Sequence, residues 1–219
     1  SIANANAIVA DTLERFVPEF LTRHPEVTLD VEGQNAEAGE TQISMVMGFV
    51  IGLIGVFLLL SFLFRSYVEP LVVMLIIPLS FTGAILGHMA MGLDFSMPSM
   101  LGYVALAGVV INNSILLVDF IKNEHGAATT VADAASIAAR ARFRAIFLTS
   151  LTTIAGLTPI LLETSLQAQI LIPLVTSLVF GLLYAGVIVL FALPALYAIL
   201  DDFGLSTLSR ERRAQASAV

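Results

Sequence analysis

Cysteine is absent from the sequence, which excludes disulfides and thiolate metal sites. Charge is scarce as well: Asp, Glu, Lys and Arg make up 12% of 219 residues, about half the share carried by a soluble domain. With 58% apolar residues and a mean hydropathy of +0.93, a soluble globular domain is excluded too. Segments of about ten residues with alternating hydropathy are missing, so the chain does not read as a transmembrane β-barrel. Nor is there an HExxH motif, and Gly92-Leu93-Asp94 lacks the GxGD arrangement of a membrane aspartyl protease. The chain is therefore not expected to be an enzyme.

What remains is apolar sequence in long runs, at roughly 43–64, 68–92, 97–121, 145–162 and 170–200. Each reaches or approaches the ~20 residues needed to cross a hydrocarbon core of about 30 Å. The expected fold class is thus an all-α transmembrane bundle of five spans, over 43–203, preceded by a short α/β segment. In that segment Ile8, Val9, Leu13, Phe16, Val17, Phe20 and Leu21 form a helical stripe over 4–23. VTLDVEG then alternates apolar Val27, Leu29 and Val31 with polar neighbours, the pattern of a half-buried strand. GQNAEAGET (33–41) reads as a linker, 204–219 as a tail, and the Ala-rich stretch near 125–141 as a short surface helix. Gly48, Gly52 and Gly55 share one face of the first span, and Gly83 and Gly87 one face of the second, as if helices approach closely there.

The net charge of −7 resolves into two regions once the charges are placed. Residues 1–42 hold eight acids against Arg15 and Arg23. The other basic residues are Arg65, Lys122, Arg140, Arg142, Arg144, Arg210, Arg212 and Arg213, while the connections around Asp94 and Glu163 have none. By the positive-inside rule the N-terminal segment lies outside and the C-terminus in the cytoplasm, and an odd number of spans agrees. The acidic segment begins at Ser1 with no signal sequence before it, so the chain is expected to be a piece whose upstream part carries another span.

Polar residues inside the apolar runs carry the functional signal. In the third run Ala105, Gly108, Asn112, Ile115, Asp119 and Lys122 recur every three or four residues and share a helix face. Asp119 lies about 10 Å from Asn112 toward the cytoplasm, and Asn113 sits on the flank. The fourth run has a matching stripe of Ala145, Thr149, Thr152, Gly156 and Pro159. Such stripes either join helices by hydrogen bonds or line a route for protons or ions. His88 reads as a hydrogen-bonded packing residue rather than a proton shuttle. Met89, Met91, Met97 and Met100 could offer soft ligands to a metal, a weaker reading among such apolar neighbours. No metal site or cofactor is expected.

GVVINNSILLVDFI, the later RARFRAIFLTSLTTIAGLTPI and the earlier FRSYVEPLVVMLIIPLSFTGAILG together resemble the C-terminal region of resistance-nodulation-division (RND) efflux transporters, in the hydrophobe/amphiphile branch. The resemblance implies a proton-driven, homotrimeric pump of two homologous six-span halves in the bacterial inner membrane. The five spans here would be helices eight to twelve, and residues 1–42 the end of the second periplasmic insertion, in the pore-type subdomain. The implied partners are the N-terminal part of the same transporter, a periplasmic adaptor, an outer-membrane channel and the lipid bilayer, with no role for nucleic acid. The family's proton relay uses two aspartates on helix four, a lysine on helix ten, and a threonine and an arginine on helix eleven. These last three positions align with Asn112, Thr149 and Arg142, supported by Asn113, Asp119 and Thr152. Asn112 in place of lysine is a departure: an amide can hydrogen-bond a carboxylate but offers it no charge. The resemblance implies that Asn112 and Thr149 lie in the buried membrane core beside the place of helix four, with Asn113 hydrogen-bonded in the bundle. The alternative reading is a structural or regulatory membrane fragment with no transport of its own; heavy-metal efflux ranks below both.

Overall fold

The computed structural model describes residues 11–23, 34–124 and 130–209. The chain divides into two compact units, residues 1–48 and 49–219. In the first, a π-helical turn, Thr12–Phe16, leads into helix α1, Val17–Arg23. Phe16 stacks on Phe20 at 5.8 Å, and Arg15 and Arg23 pair with Asp11 and Glu19 at 2.9 and 2.7 Å. These pairs are exposed and add little stability. The strand expected at Val27–Val31 lies outside the described residues, and among the described residues there is no strand.

Five long helices follow: α2 (Gln34–Phe64), α3 (Val68–Met91), α4 (Met97–Glu124), α5 (Val131–Leu161) and α6 (Leu166–Asp202). Each is long and apolar enough to cross a membrane. The expected linker is helical from Gln34 onward, because Gln, Glu and Ala are good helix formers and one glycine, Gly39, costs only about 1 kcal/mol. The surface helix expected near 125–141 is not a separate element either. From Val131 it forms the first turns of α5, which runs unbroken to Leu161. Its N-terminus is capped by Thr130, whose hydroxyl oxygen accepts from the Asp133 amide at 3.1 Å. No glycine or proline interrupts the helix before Gly156.

Helix α6 is the hub of the second unit, packing against α3, α4 and α5, while α4 also contacts α3 and α5. Its buried residues Leu182, Ala185, Val189, Leu193 and Tyr197 recur every three or four positions and meet Val73 and Ile76 of α3 and Leu106, Val110 and Leu117 of α4. In lipid such packing rests on close contact rather than on exclusion of water. Gly83 allows a close approach of α3 to α6, where a Cβ would run into the Tyr184 side chain and come within 2.9 Å of the Phe180 carbonyl oxygen. Gly52 and Gly55 do not do the same for α2, since a Cβ there would meet open space. That helix instead turns Phe49, Leu53, Val56, Leu60 and Phe64 to the core.

Polar side chains add bonds to the α3 backbone beside Pro78, and a glycine ends the helix. Before Pro78, the Ile77 carbonyl accepts from Tyr103 Oη of α4 at 3.1 Å and from Ser80 Oγ at 2.6 Å. α3 ends at Gly92, whose φ of +65° is a left-handed conformation that favours glycine.

Candidate functional site

Apart from Ile115 and Lys122, the two polar stripes lie on faces that no other described helix covers. Ala105, Gly108, Asn112 and Asp119 of α4 are exposed, as are Ala145, Thr149, Thr152, Gly156 and Pro159 of α5. Asn113, one position around the helix, is buried at 8% exposure. The expected burial of Asn112 and Thr149 is therefore absent from this structure: among the described residues both stand on an open face. An exposed amide such as that of Asn112 is costly against lipid, which offers it no partner.

At the seam between α4 and α5 this face holds a pocket of about 100 Å³, lined by Asn112, Asn113, Leu116, Arg142, Ala145, Ile146 and Thr149. Helix periodicity explains the convergence: 112 and 116 are one turn apart on α4, and 142, 145 and 149 follow one another on α5. Asn112, Arg142 and Thr149 thus meet at one place, and Asn113 joins them. Asp119 does not; it accepts from Asn123 Nδ2 at 3.3 Å, toward the end of α4. Thr149 donates to the Ala145 carbonyl at 2.8 Å and Thr152 to that of Leu148 at 2.9 Å, so both hydroxyls are satisfied on their own helix. Their oxygens remain free to accept a further hydrogen bond.

Arg142 is the unusual member. Its guanidinium lies over the Phe120 ring, 5.0 Å from the centroid, and its Nε is buried without a hydrogen-bond partner. Among the described residues no acid pairs with it. A cation held that way calls for an anion, because a planar guanidinium in an apolar setting is stabilised above all by a carboxylate. The pocket thus sets this guanidinium beside amide and hydroxyl groups.

A second polar centre went unread in the sequence. Glu69, fully buried in the first turn of α3, forms a 2.6 Å ion pair between its Oε2 and Nζ of Lys122 on α4. Its Oε1 accepts from Tyr197 Oη of α6 at 3.1 Å and from the amide and hydroxyl of Thr207 at 2.8 and 2.7 Å. Lys122 also sits over the Phe64 ring at 4.8 Å and donates to the Phe64 carbonyl at 3.4 Å. One carboxylate thereby ties together α2, α3, α4, α6 and the segment after α6. The available signal was an acid inside FRSYVEPLVV, where a charge is costly unless paired.

His88 is a packing residue in this structure, buried at 3% exposure. Its Nδ1 lies 2.9 Å from the Ala84 carbonyl, which can only accept, so Nδ1 is the donor. Nε2 then accepts from Ser99 Oγ at 2.8 Å, and Ser99 Oγ accepts from the Ser96 amide at 3.1 Å. Met89 is 73% exposed and Met91 41%, and no cluster of His, Asp or Glu suited to a metal ion occurs among the described residues. Residues 6–201 match the protein family described as AcrB/AcrD/AcrF.

Proposed function

The chain belongs to the AcrB/AcrD/AcrF family of RND-type transporters, and from this we propose that it forms part of a proton-driven efflux pump for amphiphilic or hydrophobic compounds. The observation that supports this reading is Arg142, a cation at a membrane pocket with no acid among the described residues to answer it. We assign the missing anion to carboxylates on a further helix of the same transporter, seated on the open face of α4 and α5. Arg142 would hold such a carboxylate while it is charged, and Thr149 and Asn112 would hydrogen-bond it. Proton uptake cancels the charge and loosens that hold, and release restores it. Such a two-state element is what a proton-driven transporter needs to link proton movement to conformational change. Because Asn112 offers no charge, the coupling rests on Arg142 and on the incoming acids.

In the transporter that contains this chain, Asn112→Leu is expected to lower proton-driven dye efflux about tenfold or more, the effect of losing a hydrogen bond to a charged group. Measured on the chain alone, its melting temperature should stay near that of the parent, since Asn112 is exposed on the bundle. Asn113→Leu, at a buried position, should change the melting temperature more than the transport rate. Equal losses in both variants, following stability alone, would reduce Asn112 to a packing residue.

The open polar face also bears on the second reading, in which the chain by itself is a structural or regulatory membrane piece. Expressed alone, the 219 residues should then give no proton-driven dye efflux, and efflux should require the rest of the transporter. Proton-driven efflux by the purified chain would overturn the assignment of the relay acids to another helix. The complete pump is proposed to be a homotrimer in the bacterial inner membrane, working with a periplasmic adaptor and an outer-membrane channel. The N-terminus is placed in the periplasm and the C-terminus in the cytoplasm, on the distribution of Lys and Arg. A membrane-impermeant thiol reagent added from outside should label Glu163→Cys and spare Asp202→Cys, both exposed positions in a chain with no other cysteine. The opposite pattern would invert the topology.

A further inference from the structure

The polar seam lies between α4 and α5; a different groove runs between α5 and α6. Its inner part, about 190 Å³, is walled by Phe143, Phe147 and Ile154 of α5 and by Val187 and Phe191 of α6. Phe143 and Phe147 stack at 5.9 Å with ring planes 8° apart, which makes a flat side to the groove. Gly186 keeps the floor low, since a Cβ there would meet only Ser150 Oγ, at 3.7 Å. The groove continues past Phe143 and Phe191 into a second part of about 270 Å³ that ends on Arg140. From Phe143 to Ile154 it follows α5 for eleven residues, about 16 Å, the scale of a lipid acyl chain. It lies within helices long and apolar enough to cross a membrane.

Charge decides what fits. Arg140 stands exposed at the open end, Arg144 follows one turn later on the same helix, and no acid lines either part of the groove. Among the described residues neither arginine pairs with an acid. An arginine at the mouth of an apolar slot, five residues before the apolar run that starts at Ala145, matches an anionic headgroup with its chain inside. We propose that the α5–α6 groove is a binding site for an anionic phospholipid, with one acyl chain between Phe147 and Val187 and the phosphate on Arg140. The site does not depend on the transport reading; only the leaflet, the cytoplasmic one, rests on the orientation given above. Ser150 Oγ, buried in the floor without a partner, lies about 15 Å below Arg140 along the helix, too deep for a lipid ester, and takes no part.

The chain contains no tryptophan, which makes a direct test available. Leu151 lines the groove and is 49% exposed, so Leu151→Trp adds a single fluorophore at the site without touching the core. The variant chain would be placed in phosphatidylcholine vesicles containing a small fraction of either brominated phosphatidylglycerol or brominated phosphatidylcholine. The anionic quencher should bind about fivefold more tightly, the preference one arginine near the surface supplies. Arg140→Gln in the same background should erase that preference while leaving the melting temperature unchanged. Inorganic phosphate at millimolar concentration should not displace the brominated lipid. Equal quenching by the two lipids would mean ordinary boundary lipid and overturn the site, as would a preference that survives Arg140→Gln. Displacement by phosphate alone would make it an anion site with no lipid. Quenching that appears only when the protein is strongly diluted in lipid would show a second copy of the chain in the groove instead.

Discussion

Lys122→Met should lower the stability of the bundle by about 3–5 kcal/mol, the cost of leaving a buried carboxylate without its cation. Glu69 is fully buried, and the Lys122 ammonium at 2.6 Å is the positive charge that faces it. The donors on its other oxygen, Tyr197 and Thr207, bring hydrogen bonds but no charge. Glu69→Gln combined with Lys122→Met removes both charges and keeps an acceptor for those donors. The double variant should therefore recover most of the loss, as happens when a buried ion pair is replaced rather than broken. Thermal melting of the detergent-solubilised chain reads both effects. A melting curve for Lys122→Met that overlays the parent's would show that the pair carries no net stabilisation.

The second large effect is expected at Gly102. A Cβ there would strike the backbone carbonyl oxygen of Leu174 on α6 and come within 3.0 Å of the Ser177 side chain. Side chains can change rotamer, but a helix backbone can only move away as a whole. Gly102→Val should therefore push α4 from α6 and cost about 3 kcal/mol, at the upper end for overpacking. It should also weaken the bond from Ser177 Oγ to the Ser99 carbonyl, 2.9 Å long in this structure. Gly52→Ala is the control: its Cβ would point into open space, and the gain in helix propensity should leave the melting temperature unchanged or slightly higher. Equal melting temperatures for Gly102→Val and the control would mean that the close approach of α4 and α6 adds nothing.

Length and polarity were legible in the sequence, and orientation was not. The five apolar runs correspond to helices whose ends fall near Phe64, Met91, Glu124, Leu161 and Asp202, because crossing hydrocarbon sets a minimum length. The stripes holding Asn112 and Thr149 were visible because polar residues stand out against an apolar background. Their meeting with Arg142 came from the likeness to known transporters; periodicity places residues on a face of one helix and says nothing of which helix lies opposite. The face that α2 turns to the core was misread for a related reason. In a soluble helix the buried side is the apolar side, whereas in a membrane both sides are apolar, so Phe49 and Leu53 look no different from Ile51 and Leu58. The glycines at 52 and 55 then seemed the better sign of contact, and the structure leaves them open. In the sequence Lys122 reads as a marker of topology and as the last member of the stripe on its helix, neither of which points to Glu69, 53 positions earlier.

The order of the helices along the chain bears on how the protein is made. Helix α6, which touches α3, α4 and α5, follows all of them in the sequence. A ribosome delivers the chain from its N-terminus, so the first helices enter the bilayer while their main partner is still unsynthesised. Until α6 arrives, Gly83 has no Tyr184 to pack against and Glu69 has neither Tyr197 nor Thr207 to hold. The nascent bundle must wait, half assembled, until α6 is made. A stop codon before residue 166 would therefore leave inserted helices held only by the contacts of α4 with its neighbours, the Glu69–Lys122 pair among them, and without the hub that joins them.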